Sequence, residues 1–236
     1  MSFYSVTFLI FMVAVFMFYW ILPHQYRWVA LLAANVIFYA SFEARFLLLI
    51  LLLTIVSYFC ALGLERKGKG AGALFAVPIL LIVLSLAVFK YTGFALNSVQ
   101  KILDCFAIPF TAPVIRLLQP VGVSFFSFQM IGYLADVYRG KTRACRHFGK
   151  YAVFVSFFAT ITSGPIERAG HFLPQLEEKR DFQYEDAACG ATLLLIGLFK
   201  KIVIADVVAK YVDNVYNNLH GSGGASVLAA TLLFAL

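Results

Sequence analysis

Gln129, Asp136, Glu167, Arg168, Lys200 and Lys201 are the side chains in this sequence best placed to do chemistry, because each is set in or against strongly apolar sequence. Gln129, Tyr133 and Asp136 recur at i, i+4 and i+7, so they share one face of a helix. Gly122 and Gly132 lie near that face and are expected to permit close helix packing. Such a face either fixes packing through interhelical hydrogen bonds or forms a wall of an internal cavity. Glu167 and Arg168 directly follow Gly164-Pro165, which frees one φ angle and fixes the next. A charge pair at a helix break either orients a polar substrate group or neutralises itself. Lys200 and Lys201 point about 100° apart on a helix and cannot share one narrow polar stripe. They snorkel to the headgroups, or at least one faces an internal funnel and attracts an anionic donor or carrier. Asp206 and Lys210 are spaced for an i, i+4 pair of structural kind.

Other chemistries find little support. The four histidines, His24, His147, His171 and His220, all lie outside the long apolar runs. His171 is nearest the Gly-Pro break and is the one histidine to test as a base, although a surface or loop position explains it equally simply. No Ser/His/Asp or Cys/His arrangement can be read from the spacing. Cys60, Cys105, Cys145 and Cys189 lack metal-ligand or redox spacing and read as small packing residues. There is no Walker motif, no GxGxxG and no HExxH. Neither a metal nor a tightly bound cofactor is indicated.

The elements that position these residues must cross a bilayer. Of 236 residues 62% are hydrophobic and only 13% charged, with a mean hydropathy of +0.86. A soluble domain is nearer half apolar and about one quarter charged. In hydrocarbon, charges and broken backbone survive only where protein or a water-filled cavity surrounds them, so the polar blocks are expected to line an internal site. The net charge of +7 comes largely from short loops between apolar runs. It reads as topology and attraction to anionic headgroups, not nucleic-acid binding.

The spacing predicts an all-α, polytopic fold with re-entrant or broken helices. Residues 1–89 hold four crossings, 3–22, 28–42, 46–64 and 72–89, with Tyr19 and Trp20 as an interfacial anchor. Residues 90–118 form an interfacial or extramembrane segment that Pro109 and Pro113 break. Residues 121–138 re-enter the membrane, and 139–150 form the most basic loop. The apolar run 151–161 is about half a bilayer long and ends at Ser163-Gly-Pro165, so a broken helix is expected. Residues 171–186 are polar, 192–208 apolar but interrupted by charge, and 225–236 resemble the first half of another span. Placing 65–70 and 139–150 on the cytoplasmic side puts the N-terminus outside, in a multi-pass protein of the cell membrane. Because the last run stops within the apolar phase, the chain is expected to be the N-terminal part of a longer protein.

At these residues the chain resembles the membrane-bound O-acyltransferase family, in the branch of alginate O-acetylation and D-alanyl transfer to teichoic acid. The resemblance rests on Pro120-Val-Gly-Val-Ser-Phe-Phe-Ser-Phe-Gln129, Tyr133-Leu-Ala-Asp-Val-Tyr-Arg-Gly140, Ser163-Gly-Pro-Ile-Glu-Arg168, Leu173-Pro-Gln-Leu176 and Gly197-Leu-Phe-Lys-Lys-Ile-Val-Ile-Ala-Asp206. It is firmest over 118–210, and it makes 119–236 the truncated family core. It implies transfer of an acyl group, acetyl by analogy, from a thioester or carrier-bound donor to hydroxyls of a cell-surface polysaccharide. It also implies a soluble acyl carrier or an extracytoplasmic acyltransferase as partner. The family's catalytic histidine lies in a later helix, beyond Leu236, so these 236 residues alone are expected to be inactive. A polytopic transporter and a non-catalytic subunit docking a partner through the 139–150 loop are the rival readings.

Overall fold

The computed structural model describes residues 5–67, 71–105, 119–162 and 164–235. Among these every regular element is helical: α1 Val6–Ile21, α2 His24–Glu43, α3 Phe46–Lys67, α4 Gly72–Cys105, α5 Val123–Tyr138, α6 Phe148–Ser156, α7 Ala169–Glu177, α8 Tyr184–Phe199, α9 Asp206–Asn217 and α10 Gly224–Phe234. A π-helical segment, Lys200–Ala205, joins α8 to α9. The all-α expectation is met. Pro109, Pro113 and Ser163 lie outside the described residues.

Two helices are long and apolar enough to cross a membrane, α3 over Phe46–Arg66 and α4 over Gly72–Leu103. In the most apolar stretch of α4 only 11% of residues are buried. A soluble protein would bury such a helix. Here Leu80, Leu84 and Phe94 are exposed, and lipid is the solvent that suits them. This is a membrane protein. The α1 and α10 helices are apolar but shorter.

Several lengths differ from expectation. The break foreseen at Ser163-Gly-Pro165 comes earlier, since α6 begins at Phe148 and already ends at Ser156. The crossing foreseen at 72–89 does not end there: α4 continues to Cys105, so 90–105 is helix and not a separate segment. Its 34 residues rise about 51 Å, well beyond a hydrocarbon core of about 30 Å. Lys90, Asn97, Gln100 and Lys101 are polar, but none breaks a helix. Polar side chains there leave the helix's hydrogen bonding intact to Cys105. Residues 171–186, read only as polar, begin within α7, a nine-residue helix with Pro174 inside it.

The chain divides into two units. The first covers residues 12–179. In it α3 packs on α4, α5 and α6, while α2 and α7 pack on α6. Its core holds Phe38, Phe126, Met130, Leu134, Val153 and Phe154. Arg27 stacks its guanidinium 5.1 Å from the Tyr19 ring and 4.7 Å from the Trp20 ring, and donates from Nε to the Leu22 carbonyl at 3.2 Å. The expected aromatic anchor thus comes with its own cation. The second unit comprises the described parts of residues 2–11 and 180–236. There α9 packs on α10 through Val212, Val215 and Ala230, and the Tyr216 hydroxyl donates to Thr231 Oγ1 at 3.1 Å.

Candidate functional site

The site in the first unit is built on α5. Gly122 caps its start at φ +71°, and a Cβ there would run into the Ile161 carbonyl. Only glycine meets both demands. At the other end Gly140, also at φ +71°, closes a Schellman motif. Its N–H donates to the Val137 carbonyl at 3.0 Å, and the Lys141 N–H donates to the Asp136 carbonyl at 2.9 Å. The helix therefore starts and stops at fixed points, and its polar face is held in register.

The three residues predicted to share that face each reach a different neighbour. Gln129 donates from Nε2 to the Phe154 carbonyl at 3.2 Å. The Tyr133 hydroxyl accepts from the Cys145 N–H at 2.9 Å. Asp136 takes the Arg168 guanidinium, with Nη1 3.2 Å from Oδ2 and 3.5 Å from Oδ1. Gly132 behaves unlike the expectation. Nothing lies within 4 Å of where its Cβ would be, so it opens space where close packing had been foreseen.

Asn35 on α2 makes the broken backbone at α6 possible. Helix α6 stops after nine residues at Ser156, leaving orphan groups in the protein interior. Asn35, only 1% exposed, donates from Nδ2 to the Val153 carbonyl at 3.3 Å and to Ser156 Oγ at 3.1 Å. Its Oδ1 accepts from the Phe158 N–H at 3.0 Å. One helical turn on, the Tyr39 hydroxyl donates to the Val121 carbonyl at 3.1 Å. The sequence reading missed both residues. The signal was present: an Asn and a Tyr four apart inside an apolar run are expected to face protein.

Beyond the break the chain is extended, and this decides how the charges pair. Arg168 has φ −90° and ψ 132°, and neighbours in extended backbone point to opposite sides. Glu167 and Arg168 therefore do not pair with each other. Arg168 turns to Asp136, and Glu167 Oε2 lies 3.5 Å from His171 Nδ1. A cavity of about 310 Å³ opens here, lined by Phe128, Gln129, Gly132, Tyr133, Ile166, Glu167 and Arg168. The Arg168 side chain is 71% exposed while Asp136 is 12% exposed. One guanidinium nitrogen is committed to the carboxylate, leaving its remaining N–H groups to meet a carbonyl, hydroxyl or carboxylate. His171 does not line this cavity.

Lys200 and Lys201 belong to the second unit, in the π-helical segment. Lys201 Nζ lies 2.5 Å from Asp206 Oδ1. The expected Asp206–Lys210 pair does not form. The π segment carries an extra residue per turn, so i, i+5 becomes the stacked spacing and hands Asp206 to Lys201. Among the described residues no group of His, Cys, Asp and Glu could hold a metal.

A helical membrane protein with a broken central helix and a charged cavity beside it is the class these features define. The chain is 33% identical over 235 residues to the probable alginate O-acetylase AlgI of Pseudomonas aeruginosa, a match covering 98% of this chain and 45% of that protein. It is 32% identical over 202 residues to the corresponding Azotobacter vinelandii protein, covering 84% and 40%. It is 31% identical over 211 residues to the peptidoglycan O-acetyltransferase of Helicobacter pylori, covering 78% and 39%. The chain spans somewhat under half the length of these curated relatives. No protein-family model matches the chain, and no solved structure matches it significantly. The chain belongs to the family of these O-acetyltransferases, the membrane-bound O-acyltransferases that its motifs resemble.

Proposed function

We propose that the whole protein is a multi-pass O-acetyltransferase of the cell membrane that acetylates hydroxyls of a cell-surface polysaccharide. The observation that carries this reading is the kinship, over 98% of the chain, to an alginate O-acetylase. A peptidoglycan O-acetyltransferase among the relatives supports the broader class of polysaccharide acceptors.

The acceptor hydroxyl attacks the acyl carbonyl of a thioester or carrier-bound donor. The new C–O ester bond forms as the bond to the leaving group breaks. The hydroxyl proton passes to a general base and from it to the leaving group. That base is a histidine in the part of the family fold beyond Leu236. This chain's own residues supply a wall. Asp136 holds Arg168 in one orientation, and Arg168 and Gln129 present donors to the sugar or to the acyl carbonyl. Glu167 is an acceptor for sugar hydroxyls. Lys200, in the second unit, is proposed to attract an anionic donor, with Lys201 tied to Asp206.

The test is complementation of a strain lacking the gene. The full-length product is expected to restore ester-linked acetate on the cell-surface polysaccharide, read by alkaline release and quantified per sugar. Restoration of solute uptake with no change in polymer acetate would replace this reading with a transporter.

A further inference from the structure

A second cavity of the first unit, about 800 Å³ in volume, lies where the basic loop runs alongside α7. It is distinct from the cavity at Arg168, and the acyl-transfer reading makes no use of it. Its walls include Lys141, Thr142 and Arg143 on the loop and Gly170 on α7. Lys141 and Arg143 are exposed and make no ion pair among the described residues. Arg146 is already engaged, with its guanidinium nitrogen 2.7 Å from Glu65 Oε2.

The loop is built and not merely draped. Besides the Schellman bonds at its start, the Cys145 N–H is fixed to the Tyr133 hydroxyl at 2.9 Å and the Arg146 carbonyl accepts from the Tyr58 hydroxyl at 2.8 Å. Lys141, Thr142 and Arg143 therefore sit on a fixed backbone. Gly170 leaves room for the Thr142 hydroxyl, since a Cβ there would come within 3.1 Å of Thr142 Oγ1. The cavity is also polarised. Thr142 lies by Gly170, near the start of α7. Glu177, the acidic residue that α7 adds to the lining, is seven residues on, about 10 Å along the helix.

We propose that this cavity binds an organic phosphate ester, its phosphate held between Lys141, Thr142 and Arg143. A guanidinium fork, an ammonium and a hydroxyl donor together match an anion with three outward oxygens better than they match a planar carboxylate. The volume far exceeds a bare ion and lies within the range of small-molecule sites. Glu177 and the Glu65–Arg146 pair, also in the lining, suit the polar head of the ester. A phospholipid headgroup and a soluble phosphate ester share this chemistry.

Binding is read directly, so its failure leaves the acyl-transfer reading untouched. The full-length protein in detergent is titrated with phosphatidylglycerol by native mass spectrometry and with glycerol 3-phosphate by calorimetry. K141A/R143A is expected to weaken binding about tenfold or more. R139A/K179A, which removes the same charge from exposed positions outside the cavity, is expected to change it less than about threefold. Binding of the lipid alone identifies a headgroup site, and binding of glycerol 3-phosphate identifies a site for soluble esters. No binding of either probe, or equal losses in the two variants, overturns the proposal.

Discussion

Asn35 and Ser127 are both fully buried polar residues, and the structure treats them oppositely. Asn35 satisfies three groups at the broken end of α6. Asn35→Ala would strand the Phe158 N–H and the Val153 carbonyl away from water. It is expected to cost about 2–4 kcal/mol, read as a lower unfolding midpoint in detergent. Ser127 Oγ has no hydrogen-bond partner. Ser127→Ala is expected to leave that midpoint unchanged or raise it, because the deleted group carries only a desolvation cost. At this scale the sequence reading overlooked Asn35, and it named charged residues without finding their partners. Glu167 and Arg168 look like a pair in one dimension, and extended backbone sends them to His171 and Asp136. Asp206 and Lys210 keep their α-helical spacing in α9, but the π segment before it brings Lys201 to Asp206, which pairs there instead.

The glycines of α5 separate structure from site at the element scale. Gly122→Ala forces a Cβ into the Ile161 carbonyl at a positive φ and is expected to cost more than about 2 kcal/mol. Gly132→Ala meets open space and is expected to fold normally while narrowing the 310 Å³ cavity. Comparing the yield of folded protein for the two by size-exclusion chromatography checks this. Long apolar elements such as α3 were legible because bilayer thickness acts on local sequence; a broken helix was foreseen too, but at Ser163-Gly-Pro165, whereas α6 already stops at Ser156. The α7 helix was not legible, being short and carrying Pro174. Its signal was the spacing of Phe172, Leu173 and Leu176, which sets one apolar face toward α6, where Phe172 packs on Phe154 and Phe157.

For the whole molecule, composition alone made the membrane environment legible, and the exposed apolar surface of α4 bears it out. Sidedness follows from where positive charge gathers. Lys141→Cys, in a background without the native cysteines, is expected to react with a membrane-impermeant maleimide only after the cytoplasmic face is exposed. Labelling of intact cells would reverse the topology. Which residues form the cavity was not legible from spacing alone, because Ile166, Glu167 and Arg168 join Gln129 and Gly132 only through the tertiary contact of two distant segments.

The central claim is that Arg168, anchored by Asp136, serves a cavity and does not hold the fold together. A pair with one partner this exposed contributes at most about 1 kcal/mol to stability, so the fold should survive its loss. The decisive measurement is polysaccharide-bound acetate per unit of membrane-inserted full-length protein, for wild type and Arg168→Ala. The account predicts a loss of about tenfold or more in acetate at unchanged abundance. Unchanged acetate per protein, or acetate and abundance falling together, would contradict it.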